Sequence, residues 1–565
     1  MKQRAEAVIA TARPVQVLAA AMVFSLAFNM WMGRATTFSA DEIAWFIQSP
    51  DLSLSEVFHP YVGHLVATSK VVYKLILETA GPEYWIFRLL AALSVVAVAG
   101  ALFCLIRKSL NEWMALAISL VILFFGGDPI HVLVGNGFTI LFAIFCGLMA
   151  LLLADRDQLR ALILASAVLC LGVVTYSLAL PFVLGVAALL ILGRRWTSLW
   201  VPAVPLLIYF AWWLWSQDLS GNSHGTLELS RLALTPAWGY QTISSMLSHL
   251  SGLDYDFTSG GSSIANPGPV LSLAFFVAIG FSLARGENYG RFWASAIILL
   301  TLWALAIVVP TPDRLPTSTR YMFPVAIVAA LVWSDSFRRI PRNRASWVAL
   351  TVVVFVSCLG GLAAIRDAGV NYRNTYAVEL RAGLAGIEAA KGLDLTLKGD
   401  DIADREESAV LNLPFRAVDD LGKQSVKLYR EAIERYGSLG YSAAELEAQG
   451  QVAAQQADLA LVRAVGQPLV TPAGGRASND CLTVPAGSSG LVEVPLTGRE
   501  LLIRNQFPES AALFAGRFST LGIPLGEVAA GESVALPVDP GRAGQGLSLR
   551  AAASKLEFCR PTRND

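Results

Sequence analysis

Eleven runs of predominantly apolar residues dominate the first two thirds of the chain, at about 15–33, 84–106, 113–127, 137–154, 161–176, 178–193, 197–215, 269–285, 292–310, 321–334 and 347–365. A helix needs about 20 such residues to cross the ~30 Å hydrocarbon layer, fewer where flanking residues extend it. The runs at 113–127 and 321–334 are short and are expected to extend into their flanks. The pair within 161–193 could also fold as one re-entrant hairpin. The pattern changes after residue 365. Segments 372–392, 424–437 and 442–465 carry helical periodicity, with Ser442 and Glu445 spaced as a capping box. Beyond residue 470, short alternating segments such as LVEVPL, ELLIRN, SVALPV and KLEFC are separated by Gly and Pro turns and read as a β-sandwich.

The expected architecture is therefore an α-helical polytopic membrane domain over 1–365, an extracytoplasmic helical connector over 366–470 and an extracytoplasmic β-sandwich over 471–565. Charge follows the same division. Residues 1–365 carry 22 Lys+Arg and 18 Asp+Glu, whereas the shorter stretch 366–565 carries 21 and 25. No basic block suggests nucleic acid as a partner. The basic N-terminus followed by a long apolar run, without a small-x-small cleavage site, reads as a retained signal-anchor helix.

Orientation follows from Lys and Arg in the short loops. With the N-terminus in the cytoplasm, the inner loops hold Arg107/Lys108, Arg156/Arg160, Arg194/Arg195, Arg285/Arg291 and the cluster Arg338, Arg339, Arg342 and Arg344. The opposite loops are poor in both residues. This places 34–83, 216–268, 311–320 and the whole tail outside the cytoplasm of a bacterial inner membrane. Cys481 and Cys559 are the only cysteines of the tail, and an oxidising compartment invites a disulfide between its first and last strands. Cys104, Cys146, Cys170 and Cys358 lie in or beside apolar runs, where a thiol is a small hydrophobe.

Five outer segments carry candidate chemistry. FSADEIAWF follows the first run and sets Asp41 and Glu42 at the outer surface; Ser39 and Glu42 have capping-box spacing, which would orient Asp41. FHPYVGHLVATSK holds His59 and His64. On one helix they would stand about 140° apart, which disfavours a shared metal but leaves His64 as a contact for a sugar hydroxyl or phosphate. GGDPIHVLVGNGF contributes Asp128 and His131, equally readable as a turn. TPDRLPTSTRYMFP contributes Arg314, Arg320 and Tyr321, whose guanidinium groups suit phosphate or snorkel to headgroups. The loop 216–268 holds His224, Trp238, Tyr240 and His249, and PAWGYQTISSMLSHLSGL reads as an amphipathic helix on the membrane.

This arrangement resembles the GT-C superfamily of integral membrane glycosyltransferases: many spans, an inner N-terminus and an acidic motif directly after span one. Asp41-Glu42 is similar to the Asp-Glu of protein O-mannosyltransferases and of bacterial enzymes that add aminoarabinose or other sugars. TSTRYMFP resembles an Arg-Tyr feature preceding late spans in such proteins, and the β tail is like carbohydrate-binding modules. The resemblance implies a polyprenyl-phosphate sugar donor and an envelope glycan, glycolipid or protein acceptor. It also implies inverting transfer with Asp41 as general base and Arg320, then Arg314, on the leaving phosphate. Metal dependence stays open. A transporter or flippase of lipid-linked glycans, or a membrane-anchored glycan-binding scaffold, are the competing classes. Neither an internal repeat nor a charged residue at mid-span supports the transporter.

Overall fold

The computed structural model describes residues 13–39, 41–217, 219, 228–253, 266–285, 290–309, 314–336, 344–389, 426–465, 471–472, 481–483, 491–495, 500–506, 508–537, 548–551 and 556–559. His224, Arg338, Arg339 and Arg342 of the sequence analysis lie outside these residues. The chain forms two compact units. One comprises Met1–Thr36, Leu52–Ile76 and Glu83–Tyr372; the other comprises Thr37–Asp51, Leu77–Pro82 and Arg373–Asp565.

The first unit is helical. Among the described residues six helices are long and apolar enough to cross a membrane: Pro14–Ala35, Tyr84–Ile106, Gly137–Ala154, Trp196–Ser216, Gly290–Ile307 and Ala345–Ala389, the last of which belongs to the second unit from Arg373 onward. Shorter apolar helices stand at Glu112–Leu123, Leu159–Thr175, Ser177–Leu192 and Gly268–Ala284, and a further helix covers Thr319–Ser336. Their outward faces are Leu, Val, Ile and Phe, as a lipid solvent requires. Exposed tryptophans cluster at helix ends: Trp31, Trp85, Trp113, Trp200, Trp215 and Trp293. An indole is stable where apolar and wet layers meet, so this distribution marks a membrane protein.

Small residues set the closest helix approaches. A Cβ on Gly361 would collide with the Phe124 carbonyl, and one on Gly126 would collide with Gly361. Lipid tails are as apolar as leucine, so packing of this kind drives association of spans. The run at 113–127 does not extend as expected. Its helix stops at Leu123, and the chain turns through Gly126 and Gly127 into the short helix Pro129–Leu133. Residues 161–193 form two helices broken at Tyr176, whose backbone is extended. The helix Thr235–Ser251 was expected to lie on the membrane but buries Trp238, Ile243 and Met246. Gly239 packs against the Trp303 ring and Gly252 against the Val356 carbonyl, so small residues let the helix enter the bundle.

The second unit joins helices to a small β region. Helices Ala377–Ala389 and Gln451–Val465 pack through Ala382, Ala453 and Ala457, with Gly386 against the Ala457 carbonyl. Helix Val426–Tyr436 places Tyr429 and Tyr436 around Phe46. Burial, and then the Glu388 carboxylate 2.6 Å away, hold the Tyr429 phenol well above its usual range. The expected capping box forms at Ser442 and Glu445, and its Ser442 N–H holds the Glu445 carboxyl below its usual range.

Nine strands follow among the described residues: β1 Thr471–Pro472, β2 Cys481–Thr483, β3 Val492–Pro495, β4 Glu500–Asn505, β5 Ala511–Gly516, β6 Ile523–Val528, β7 Ser533–Pro537, β8 Ser548–Ala551 and β9 Leu556–Cys559. They pair antiparallel in the orders β1-β7-β4-β9-β2 and β3-β8-β5-β6. Ile503, Leu536 and Phe558 of one sheet share a core with Val492, Leu513 and Leu549 of the other. Cys481 and Cys559 are register partners on β2 and β9 and form a disulfide, so the bond starts from the second strand rather than the first. It closes 78 residues of sequence, for which chain entropy contributes about 4 kcal/mol. Reduction is expected to lower the unfolding midpoint of the tail, read by hydrogen exchange of β2 and β9 with and without reductant. An unchanged midpoint would show that the two sheets hold without the bridge.

Candidate functional site

Asp41 and Glu42 open the helix Asp41–Gln48 of the second unit. The first turn of a helix has unsatisfied N–H groups, which carboxylates complement. Glu42 is fully buried, and its Oε2 accepts from the Ser39 N–H at 3.3 Å and from the Ser39 hydroxyl at 3.5 Å. The same helix buries Ile43, Trp45 and Phe46, so its rotation is fixed by packing. Asp41, one residue earlier, is half-buried. The pair thus divides into an inward carboxylate bound to its own cap and a neighbour that reaches the surface.

The other candidate residues belong to the first unit. His59 and His64 do not share a helix. Helix Leu54–Phe58 ends at His59, and a tight turn at Tyr61–His64 separates the two imidazoles before the helix Ala67–Ala80. Tyr61 and His64 exchange both backbone hydrogen bonds, at 3.0 and 2.9 Å. Val62 and Gly63 between them have φ of 48° and 75°. That left-handed conformation suits glycine or asparagine and costs a β-branched residue about 1–2 kcal/mol. The turn sets His64 Nδ1 2.8 Å from the Ser177 hydroxyl, with its ring beside that of Tyr176.

Lys70 is a residue the sequence reading passed over, although it stands in the same segment. Its side chain is buried, and Nζ donates to the carbonyls of Glu56 and His59, each at 2.9 Å. Burial pushes its ammonium down to about 8, against the opposing pull of Glu56. Glu56 itself is held below the usual carboxylate range by the Ser53 N–H, which closes a second capping box. Between about pH 8 and 10.5 the unfolded chain keeps the Lys70 proton and the folded chain has released it. Stability from this group therefore rises with pH across that window. Relative to Lys70→Met, the wild type is expected to gain about 1–3 kcal/mol between pH 7.5 and 10.5, read as the difference in thermal midpoints; parallel pH curves for the two proteins would refute it.

Asp128 is buried and receives His131 Nδ1 at 2.8 Å on both carboxylate oxygens. Asp128 precedes the helix Pro129–Leu133 and His131 lies within it, so the pair is local. Such a carboxylate fixes the tautomer and orientation of its imidazole. Arg314 Nη1 donates to the Val309 carbonyl at 3.3 Å, and the Arg320 guanidinium lies 5.6 Å from the Tyr321 ring. Tyr321 packs on the edge of the helical core.

Two further features had weak sequence signals. Arg88 interrupts an otherwise uncharged run one turn into Tyr84–Ile106. It is buried, donates to the Gly33 carbonyl and lies 3.5 Å from the Thr36 hydroxyl; its Nε has no partner among the described residues. At the opposite helix ends, Asp155 binds Lys108 and Arg291, and buried Asp335 accepts from Ser109 and Ser295. Asp155, Arg291, Ser295 and Asp335 line a small open cleft together with Leu105, Leu151, Leu189 and Leu331. Distant sequence positions meet there, so spacing gave no signal. Among the described residues no group of three or more His, Cys, Asp or Glu side chains could hold a metal ion.

No family model matches the chain, and no curated protein does. Among solved structures, it is similar to the crystal structure of ArnT from Cupriavidus metallidurans bound to undecaprenyl phosphate, with a TM-score of 0.40 and 13% identity. The match covers 67% of this chain and 81% of that one. A score that low carries no argument about activity.

Proposed function

We propose that the chain is a membrane glycosyltransferase of the GT-C type. It takes a sugar from a polyprenyl-phosphate donor and passes it to an extracytoplasmic acceptor in the cell envelope, a glycan, a glycolipid or a protein. The single observation that carries this reading is the acidic pair directly after the first candidate span, with Glu42 locked to Ser39 and Asp41 at the surface. Asp41 is the general base: it takes the proton of the acceptor hydroxyl as that oxygen attacks the anomeric carbon, and the donor phosphate leaves with the bonding pair. Glu42 is a positioning residue, not a second base. Arg320, with Arg314, is assigned to the leaving phosphate. His64, His59, Tyr321 and the Asp128–His131 pair are assigned to substrate contact. All eleven apolar runs are read as spans, with the N-terminus cytoplasmic and the helical connector and β-sandwich outside.

The test compares purified wild type and Asp41→Asn for transfer from a panel of polyprenyl-phosphate sugars. Equal transfer by the two proteins removes Asp41 as base; no transfer by the wild type from any donor removes the enzyme class.

A further inference from the structure

Phe46 lies one helical turn after Glu42 on Asp41–Gln48, and both side chains are fully buried. Successive residues of a helix stand about 100° apart, so the seat of one ring fixes the direction of its neighbours. Rotation by one residue would bring Glu42 to the direction that Asp41 now takes. The seat of Phe46 therefore decides which of the two acids faces outward.

That seat is built by residues far along the chain. The Tyr436 ring stands edge-on to Phe46 at 5.8 Å, and the Tyr429 ring lies tilted to it at 6.3 Å. Both tyrosines belong to Val426–Tyr436, and Phe38 closes another side of Phe46 at 5.5 Å.

Two carboxylates fix the tyrosines in turn. Glu388, on Ala377–Ala389, accepts from the Tyr429 and Ser438 hydroxyls at 2.6 Å each and from the Gly440 N–H at 3.0 Å. Glu78 accepts from the Tyr436 hydroxyl at 2.9 Å and from Arg435 Nη2 at 2.8 Å. Gly437, with φ of 111°, lets the chain turn closely against Pro82. A buried phenol needs a hydrogen-bond partner, and each of these has one that locks its ring in place. All of these residues lie in the second unit.

We infer that Tyr429 and Tyr436 are positioning residues for Asp41. With Glu388 and Glu78 behind them they hold Phe46, and so keep Asp41 rather than Glu42 toward the acceptor. The inference rests on Asp41 as the base, and one arm of its test reads no activity.

The kinetic arm measures transfer by the full-length protein in the wild-type and Asp41→Asn backgrounds. Tyr436→Leu removes both the ring edge and the hydroxyl. It is expected to lower kcat about 10–10²-fold with the donor KM unchanged. Tyr436→Phe keeps the ring and is expected to recover most of that loss. In the Asp41→Asn background Tyr436→Leu is expected to cost nothing further, because the group it positions is gone. An equal loss in both backgrounds marks general damage to the fold and overturns the proposal.

The second arm follows hydrogen exchange of residues 41–48. Glu388→Gln and Tyr436→Leu are each expected to speed it several-fold, with residues 511–528 unchanged. Unaltered exchange over 41–48 overturns the proposal whatever the transfer rates. Should the wild type transfer from no donor, the glycosyltransferase reading fails, and exchange alone then decides whether the tyrosines hold the helix.

Discussion

Asp41→Asn is expected to lower sugar transfer by about 10²–10⁴-fold, the range that a positioned general base contributes. Asparagine keeps the size and the place in the first helical turn but cannot accept a proton at neutral pH. The loss should fall on kcat, because the substituted group acts on the proton in flight and not on donor binding. Glu42→Gln tests the positioning role separately. Its carboxylate is buried and bound to Ser39, so the change weakens that contact. Transfer should drop less than in Asp41→Asn, and Ser39→Ala should drop it in parallel with Glu42→Gln. Single-turnover rates with a saturating donor check both. If Glu42→Gln abolishes transfer while Asp41→Asn spares it, the two acids have exchanged roles.

Asp458→Ala is expected to cost about 3–5 kcal/mol in the stability of the second unit. Asp458 is fully buried on Gln451–Val465. Its carboxylate accepts the backbone N–H groups of Arg517 at 2.6 Å and of Phe518 and Ser519 at 2.9 Å, and the Ser519 hydroxyl at 2.5 Å. Alanine would strand these donors in a dry site and detach the β5–β6 turn from the helix. Asp458→Asn keeps one acceptor oxygen and should fall between. Hydrogen exchange over residues 511–528 reads the effect, because the membrane helices do not report on it. Unchanged protection in Asp458→Ala would show that the apolar core alone holds sheet to helix.

The elements were far more legible than the contacts. A helix stands at each of the eleven apolar runs because helix formation in an apolar run is local: every backbone group is satisfied within four residues. The capping box at Ser442–Glu445 and the contact of Ser39 with Glu42 were readable for the same reason, since the partners are three residues apart. The tail disulfide was readable by elimination, because Cys481 and Cys559 are the only cysteines of the tail. Lys70, Arg88 and Asp458 were not. Each earns its place through carbonyls or N–H groups from elsewhere in the chain, which no periodicity records.

His59 and His64 show the limit most directly. Their spacing was measured on a helix that the turn at Val62–Gly63 interrupts, and a left-handed valine is a state that local preference argues against.

Sequence by itself determined the apolar helices, the polar tail with its alternating strands, the cysteine pair and the acidic motif behind the first run. These follow from hydropathy and short-range hydrogen bonding, which a linear chain carries openly. Tertiary structure alone decided that Asp41 belongs to the same compact unit as the tail, and that Glu42 turns inward while its neighbour reaches the surface. It alone decided that Lys70 is buried against two carbonyls. Those outcomes depend on which distant groups compete for the same water-free space, and packing settles that only once the chain has closed on itself.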